Sequence, residues 1–406
     1  MPPTRRPFGG LWLAALTVTA FALQTDDFVI AGVLPSIARG LSVGEAAAGQ
    51  LVTVFSVICA AVAPAAAVAA GPCSPRTVLT WGMLLFCAAN LAVPLVPSYP
   101  VLLVLRVVAA LAAALSLPAV FSAAATLSPP DRRGRHLATV TAGLTGAVVA
   151  GVPLGTWIGA AAGWRATFLA GGVLGAVALA FLRATLPDVP PPPPAGLGER
   201  LRPLAAPAVL RALLAAAVAV LGNMMIQTYL APLLHGLAGV TPSGLGLLLT
   251  LTGLAGIAGA RLSGTLVDRI GPQRSFGLAA PAFALAMAGL AMCWPARPVH
   301  LAVVVPLLLV WSAAAWSVPP AVQARVLALT GPEVGPQALA LSSSAVYLGA
   351  SLGAGLGGWA IGSLGPGALP IIAGACFLAG IAFFGLPGRS TSPTPDRDAE
   401  NHHADL

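Results

Sequence analysis

Lysine is absent from this chain of 406 residues, and charged residues of any kind are scarce. The 20 basic residues are all arginine, the acidic residues number 12, and together they make up 8% of the chain. Soluble globular domains contain roughly 25% charged residues, and a soluble fold of this length needs more polar groups to cover its surface. Disordered chains combine low hydrophobicity with high charge, which the 58% hydrophobic content excludes. The composition therefore predicts a membrane protein with many spans.

Cysteines and enzyme motifs are also scarce. The five cysteines, Cys59, Cys73, Cys87, Cys293 and Cys376, show no metal-ligand spacing and no disulfide framework. We interpret them as small buried hydrophobic residues. A phosphate-binding loop would need a lysine, and neither a His-Glu-x-x-His nor a paired-cysteine motif is present. We therefore predict no metal site, no cofactor and no enzyme activity.

Apolar stretches of about 20 residues, long enough for a helix to cross the bilayer core, recur along the chain. Only α-helices and closed β-barrels can span a lipid bilayer, and these stretches lack the alternation of apolar and polar residues that barrel strands show. We predict an all-α, polytopic membrane protein whose first helix is retained rather than cleaved as a signal peptide. Its twelve predicted transmembrane helices cover residues 11–34, 46–70, 77–97, 100–127, 137–160, 164–186, 206–231, 242–266, 274–295, 299–328, 337–362 and 366–386.

Arginine is distributed unevenly between alternate loops. With both termini in the cytoplasm, sixteen of the 20 arginines lie on the inner side, and the outer loops hold only Arg39, Arg165 and Arg297. The positive-inside rule therefore predicts a multi-pass protein of the inner (plasma) membrane with both termini cytoplasmic. The same rule accounts for the net charge of +8, which in a soluble protein would suggest nucleic acid; we expect no nucleic-acid partner.

A proline-rich stretch divides the chain into two parts of similar size. The prolines at 190–194 interrupt the apolar pattern, and a semi-rigid spacer explains them better than a ligand for an SH3-like module. We predict an N-terminal six-helix bundle at 1–187, a cytoplasmic linker at 188–205, a C-terminal six-helix bundle at 206–387 and a disordered cytoplasmic tail at 388–406. Two such halves indicate a transporter with its site between them.

The loop after the eighth predicted helix carries the sharpest motif. Gly264-Thr-Leu-Val-Asp268-Arg269-Ile-Gly271, followed by Arg274, resembles the signature loop Gly-x-Leu-x-Asp-Arg-x-Gly of the major facilitator superfamily, in its twelve-helix drug:proton antiporter branch. A carboxylate in this loop can cap a helix N-terminus and pair with arginine, so the resemblance implies a cytoplasmic gate. An ordinary turn with a solvated ion pair is the alternative.

The N-terminal copy of this loop is degraded. Gly71 and Pro72 stand where the family has Asp and Arg, so that Arg76 alone supplies charge. The resemblance therefore implies a cytoplasmic gate that depends more on the Asp268 side than on the side of Arg76.

Weaker resemblances to the same branch occur in the first, fourth and fifth predicted helices. By the family pattern Asp27 is the proton carrier, Asp26 is the second candidate, and Arg106 is a charge partner. Neighbouring residues point about 100° apart on a helix, so the two acids cannot both face one cavity. The alternative is that the acids hydrate near the outer interface and Arg106 snorkels outward. Gly151, Pro153 and Gly155 resemble the antiporter motif of the fifth helix, without its usual Gly-Pro dipeptide.

Polar side chains within the predicted helices are candidates for a substrate cavity: Gln24, Asn90, Asn223, Gln227, Tyr229, Gln323 and Tyr347. Hydrogen bonding between helices is their alternative role. The resemblance implies a monomeric exporter of small organic molecules, such as drugs, sugars or metabolites, in the lipid bilayer. It would work in exchange for protons, by alternating access, with the proton gradient in place of a cofactor. Proton-coupled uptake or facilitated diffusion remains an alternative, as does a non-transporting membrane receptor or scaffold.

Overall fold

The computed structural model describes residues 10–69, 72–129, 131–189, 196, 198 and 201–385. The prolines at 190–194 and the predicted tail at 388–406 lie outside the described residues. Within them, the chain forms helices and short connections, without a β-strand. The all-α prediction is confirmed.

The α-helices follow one another closely. They are α1 (Leu11–Phe28), α2 (Ile30–Gly40), α3 (Glu45–Ala69), α4 (Pro75–Ala92), α5 (Tyr99–Leu127), α6 (Arg133–Gly146), α7 (Val152–Ala162), α8 (Trp164–Thr185), α9 (Pro207–Thr228), α10 (Leu230–Ala238), α11 (Pro242–Ile270), α12 (Pro272–Cys293), α13 (Leu301–Trp316), α14 (Val318–Ser363) and α15 (Leu369–Phe384). A π-helical turn at Ala147–Gly151 joins α6 to α7.

Eleven segments of the described chain are long and apolar enough to cross a membrane, and the bent pair α1–α2 makes a twelfth. Segments of this length and hydropathy match the thickness of a bilayer core. The prediction of a polytopic membrane protein with twelve spans is confirmed.

One predicted boundary is wrong. The first predicted helix, 11–34, is broken at Val29, where α1 and α2 meet at 47°, and α2 then continues to Gly40. Gly32 and Pro35 follow this break, and both are poor helix formers. The tenth and eleventh spans, Leu301–Thr330 and Leu341–Ser363, agree with the predicted 299–328 and 337–362. A turn at Ser317 lies within the tenth span.

The connections between spans lie alternately at the two ends of the bundle. We name the ends after Gly163 and Gly271, two glycines with positive φ, one in a connection at each end. Contacts between connections identify the residues of each end. At the Gly163 end, Arg165 donates to the carbonyl oxygen of Val96 at 3.0 Å. At the Gly271 end, Arg76 donates to the carbonyl oxygen of Arg183 at 2.9 Å.

The buried apolar residues form two clusters. One joins residues of the C-terminal half, 201–385, to those residues of the N-terminal half, 10–189, that lie near the Gly163 end, such as Ile30 and Leu34. The buried residues of the other cluster come only from the N-terminal half and lie towards the Gly271 end, such as Leu16 and Ala123. The two halves therefore share one core near the Gly163 end.

The cysteines divide by position. Cys59 and Cys87 are buried, as the sequence indicated, Cys293 and Cys376 are half-buried, and Cys73 is exposed. The interpretation of all five as buried residues is therefore wrong for Cys73, which follows the degraded loop.

Candidate functional site

An ion pair is buried between α1 and α5. Arg106 Nη1 donates to Asp26 Oδ2 at 2.7 Å, and the two side chains are 2% and 1% exposed. The guanidinium carbon lies 4.5 Å from the centre of the Phe55 ring and 5.8 Å from that of Phe168. Taking two charges out of water is costly, and short geometry with further contacts offsets part of that cost. The pair therefore neutralises two of the three charges that the sequence places deep in the spans.

Asp27, the third of these charges, lies in the last turn of α1, immediately before the break at Val29. Its side chain is buried, and among the described residues it forms no ion pair, because Arg106 is engaged by Asp26. Tyr347 from α14 packs against the buried cluster of the N-terminal half. The two adjacent acids thus have different neighbours, as their separation of about 100° around the helix requires.

Small residues of the fifth span allow α1 and α2 to pack closely against it. A Cβ at Gly151 would overlap the Thr25 hydroxyl, and one at Gly155 would overlap Val29. Pro153, between these glycines, is buried in the first turn of α7. The residues that resemble the antiporter motif therefore pack against the end of α1 and against Val29 at the α1–α2 break.

The predicted cavity residues fall at different places. Asn223 is buried and its Oδ1 has no partner among the described residues; Gln227 follows one turn later on the same face and is half-buried. Asn90 instead donates to the carbonyl oxygen of Phe86 at 3.1 Å, within its own helix in the N-terminal half. Gln24 is half-buried and Gln323 is exposed.

Tyr229 lies at the junction of α9 and α10 and is fully buried. Its hydroxyl donates to the carbonyl oxygen of Ala354 at 3.0 Å. The same hydroxyl fills the space that a Cβ would need at Gly49 in the N-terminal half and at Gly358 in α14. Tyr229 therefore packs across the interface between the halves, near the Gly163 end.

The predicted gate residues lie at the Gly271 end. Asp268, Arg269 and Arg274 are exposed, and none of them forms an ion pair within the part of the chain that the structure describes. Gly271 ends α11 with φ 84°, a conformation that favours glycine. A Cβ at Gly264 would meet nothing within 4 Å.

Sequence reasoning missed the aromatic neighbours of this site. Phe55 and Phe168 stack against Arg106, and Trp316 packs against Phe28 with ring centres 6.5 Å apart. Phe168 lies near the start of α8, and no local pattern singles out Phe55. Its role depends on where α3 packs against α5, which one sequence does not specify.

A small cavity lies between the halves at the Gly163 end. Its volume is about 140 Å³, and its lining includes Arg39, Glu45 and His235. Pockets for drug-sized molecules are about 300–1,000 Å³. The cavity is therefore too small for such a substrate in this conformation. Among the described residues, no cluster of His, Cys, Asp or Glu side chains is arranged to hold a metal ion.

Twelve candidate spans with buried acids and a buried arginine in the N-terminal half define a multi-pass membrane transporter. The family model of the Major Facilitator Superfamily matches residues 16–334 and 214–405. The chain is 32% identical over 385 residues to the inner membrane transport protein YdhP of Escherichia coli (strain K12), covering 91% of this chain and 93% of that protein. The protein belongs to the Major Facilitator Superfamily, whose members are transporters rather than enzymes.

Other similarities agree with this assignment. A chloramphenicol resistance protein of Streptomyces lividans is 37% identical over 306 residues, which cover 71% of this chain and 74% of that protein. Among solved structures, a D-xylose-proton symporter superposes with a TM-score of 0.76 at 17% identity, covering 92% of this chain and 96% of that one. A bacterial homologue of the lysosomal transporter Spinster, in an inward-facing conformation, gives a TM-score of 0.69 at 18% identity, with 94% and 95% covered. At these identities the structures establish the fold alone.

Proposed function

We propose that this protein exports small organic molecules in exchange for protons, with Asp27 as the proton carrier. The observation that carries the proposal is the environment of Asp27: a buried carboxyl, without an ion pair, at the break of the first span. An unpaired charge inside a membrane protein is costly and usually marks function. A carboxyl in this position can hold a proton without unpairing Arg106 from Asp26.

The Gly271 end faces the cytoplasm in this proposal. Most described arginines lie in or near the connections at that end: Arg76, Arg132, Arg133, Arg135, Arg183, Arg202, Arg211, Arg261, Arg269, Arg274 and Arg325. The Gly163 end holds only Arg39, Arg165 and Arg297 of the described arginines. The positive-inside rule supports this orientation in the plasma membrane, with both termini cytoplasmic.

Transport follows from rocking of the two halves, 1–187 and 206–387, about the site. In the described conformation the halves share a core near the Gly163 end, so the substrate enters from the Gly271 end. Asp268, Arg269 and Arg274 would then close that end, with Gly264 and Gly271 shaping their loop, in the opposite conformation. The similarity to a chloramphenicol resistance protein supports a neutral, drug-sized substrate, for which Asn223 offers a buried acceptor.

The test uses proteoliposomes loaded with a pH-sensitive dye and chloramphenicol as the probe. The wild type should move protons in the direction opposite to chloramphenicol, and Asp27→Asn should abolish that proton movement. Asp131→Asn, an exposed acid at the Gly271 end, is the control and should transport normally. Coupled transport that survives in Asp27→Asn would overturn the assignment of the carrier. If protons moved in the same direction as chloramphenicol, the proposal of export would be wrong and proton-coupled uptake would take its place.

A further inference from the structure

The small cavity at the Gly163 end is lined by charged or titratable side chains of both halves. Arg39 of α2 and Glu45 of α3 belong to the N-terminal half, and His235 of α10 belongs to the C-terminal half. Arg39 and His235 are exposed, and Glu45 is half-buried. Because the cavity measures only about 140 Å³, its walls lie close together. The cavity therefore brings an acid of one half near a histidine of the other.

The hydrogen bond of His235 shows which of its ring nitrogens is free. Its Nδ1 lies 3.3 Å from the carbonyl oxygen of Val240. A carbonyl oxygen only accepts hydrogen bonds, so Nδ1 carries the proton in the neutral ring. Nε2 is then the nitrogen that gains a proton when the ring becomes charged. Histidine is the side chain that ordinarily changes charge between pH 5 and 8, so acid turns a neutral wall of this cavity into a cationic one.

Glu45 is alone among the described acidic residues in lying at the Gly163 end. The others lie within α1 or at the Gly271 end: Asp26, Asp27, Asp131, Asp188, Asp268 and Glu333. A charged His235 therefore finds a single carboxylate on the opposite half at this end.

The connection between α12 and α13 packs against α10 and carries two further charged or titratable groups. Arg297 Nη1 donates to the carbonyl oxygen of Trp294 at 3.1 Å, and its guanidinium carbon lies 4.6 Å from the centre of that ring system. His300 Nδ1 accepts a backbone N–H of the first turn of α13 at 3.2 Å. Both side chains are bound within their own segment, and neither lines the cavity. They leave His235 as the titrating group that faces Glu45.

Arg39 is the cation that the N-terminal half contributes to the cavity. Its Nη2 donates to the Ser36 hydroxyl at 3.4 Å, within the same helix. Arg39 is exposed, so water and salt screen its charge, whereas the charge of the half-buried Glu45 is screened less. The segment Pro366–Ala368, which also packs against α10, contains no charged residue. The balance of charges around the cavity therefore favours attraction between a charged His235 and Glu45.

We propose that His235 and Glu45 form a pH-sensitive contact that holds the Gly163 end closed in acid. This inference rests on the orientation and the rocking of the halves in the proposed function. With a neutral ring, the two side chains form no ion pair among the described residues. A proton from water on Nε2 adds a cation beside the carboxylate, and no other bond forms or breaks. Parting of the halves must then also part the two charges, so acid outside the cell slows the opening of this end.

The experiment measures the opening of the Gly163 end directly. Nitroxide spin labels are attached to Gly44→Cys and Ala296→Cys, exposed positions of opposite halves at this end, in a background without native cysteines. Pulsed electron paramagnetic resonance of the protein in lipid gives the ratio of open to closed molecules at pH 8 and pH 5.5. We expect this ratio to fall about twofold to fivefold in acid, the effect of one exposed ion pair. His235→Gln and Glu45→Gln should each abolish the fall.

His300→Gln is the matched control, since it removes the other histidine of this end, which does not line the cavity. It should keep the pH dependence of the parent. Arg39→Gln removes the competing cation and should enlarge the pH dependence. A fall in the ratio that survives unchanged in His235→Gln would overturn the contact, and so would a ratio that is equal at the two pH values in the parent.

The same measurement in Asp27→Asn separates this inference from the proposed proton carrier. The pH dependence should persist in that variant, because Asp27 does not line the cavity. A pH dependence that disappears in Asp27→Asn but remains in His235→Gln would overturn the contact and support the carrier. If coupled chloramphenicol transport survived in Asp27→Asn while His235→Gln abolished the pH dependence, the carrier would be wrong and the contact would stand.

Discussion

The two ends of the interface between the halves are built differently. At the Gly163 end, Tyr229 packs against Gly49 of the opposite half, and Trp157 Nε1 donates across the interface to the carbonyl oxygen of Ser243 at 3.0 Å. At the Gly271 end, Asp268 and Arg269 are exposed and form no ion pair within the described chain. Aromatic side chains bonded to backbone oxygens hold one end, and exposed charges lie at the other.

The division of the core shows how this difference arises. Near the Gly163 end, residues of both halves belong to one buried cluster, whereas towards the Gly271 end the N-terminal half has a cluster of its own. Packed apolar interfaces are bistable rather than continuously deformable. The described conformation is therefore closed at the Gly163 end. In the proposed transport cycle, a second conformation would replace these apolar contacts by contacts of exposed polar residues at the Gly271 end. The acidic site lies between the two ends.

The largest effect on stability is expected at the ion pair of Asp26 and Arg106, which lies between the two ends. Arg106→Met leaves Asp26 buried without its partner, and loss of one member of a buried pair costs about 3–5 kcal/mol. Thermal unfolding in detergent, followed by tryptophan fluorescence, should show this loss. Arg106→Met with Asp26→Asn removes both charges and should recover most of the stability. A double variant as unstable as Arg106→Met alone would show that the pair is not the source of the effect.

A smaller effect, on the stability of the closed conformation, is expected at the Gly163 end. In Gly49→Ala the new methyl group overlaps the ring of Tyr229, and overpacking costs about 1–3 kcal/mol. This cost falls on the closed conformation, so the Gly163 end should open more often. The measurement is maleimide labelling of Ala231→Cys, a buried position that lines the small cavity, in a background without native cysteines. We expect the labelling rate to rise about tenfold.

Gly355→Ala is the control for this prediction. Its methyl group would meet Thr53 of the opposite half at 3.7 Å, an ordinary van der Waals contact. The labelling rate of Ala231→Cys should therefore stay close to that of the parent. Equal rates in Gly49→Ala and Gly355→Ala would contradict the conclusion that Tyr229 closes this end.

Most of the fold could be predicted from the sequence because a bilayer imposes length and hydropathy on each span. The break at Val29 could not, since no proline or glycine stands at that position and the bend depends on packing against the fifth span. The turn at Ser317, within the tenth span, was not predicted either.

The candidate site could be predicted only in part. Charge inside a span is conspicuous, so Asp26, Asp27 and Arg106 stand out in a sequence with few charges. Which acid Arg106 binds depends on the rotation of α1 relative to α5, and a single sequence does not specify it. The packing of Tyr347 against the N-terminal half depends in addition on how the two halves dock.

The smallest effect on stability is expected at the Gly271 end. Asp268 is exposed and unpaired among the described residues, so Asp268→Asn should change the free energy of unfolding by less than about 0.5 kcal/mol. If Asp268 closes this end in the opposite conformation, chloramphenicol transport should nevertheless fall, and labelling of Ala231→Cys should decrease rather than increase. Asp131→Asn, at an acid 71% exposed at the same end, should change neither property. Increased labelling in Asp268→Asn would mean that the two ends do not close alternately, because loss of a contact at the Gly271 end can only favour the conformation that is closed at the Gly163 end.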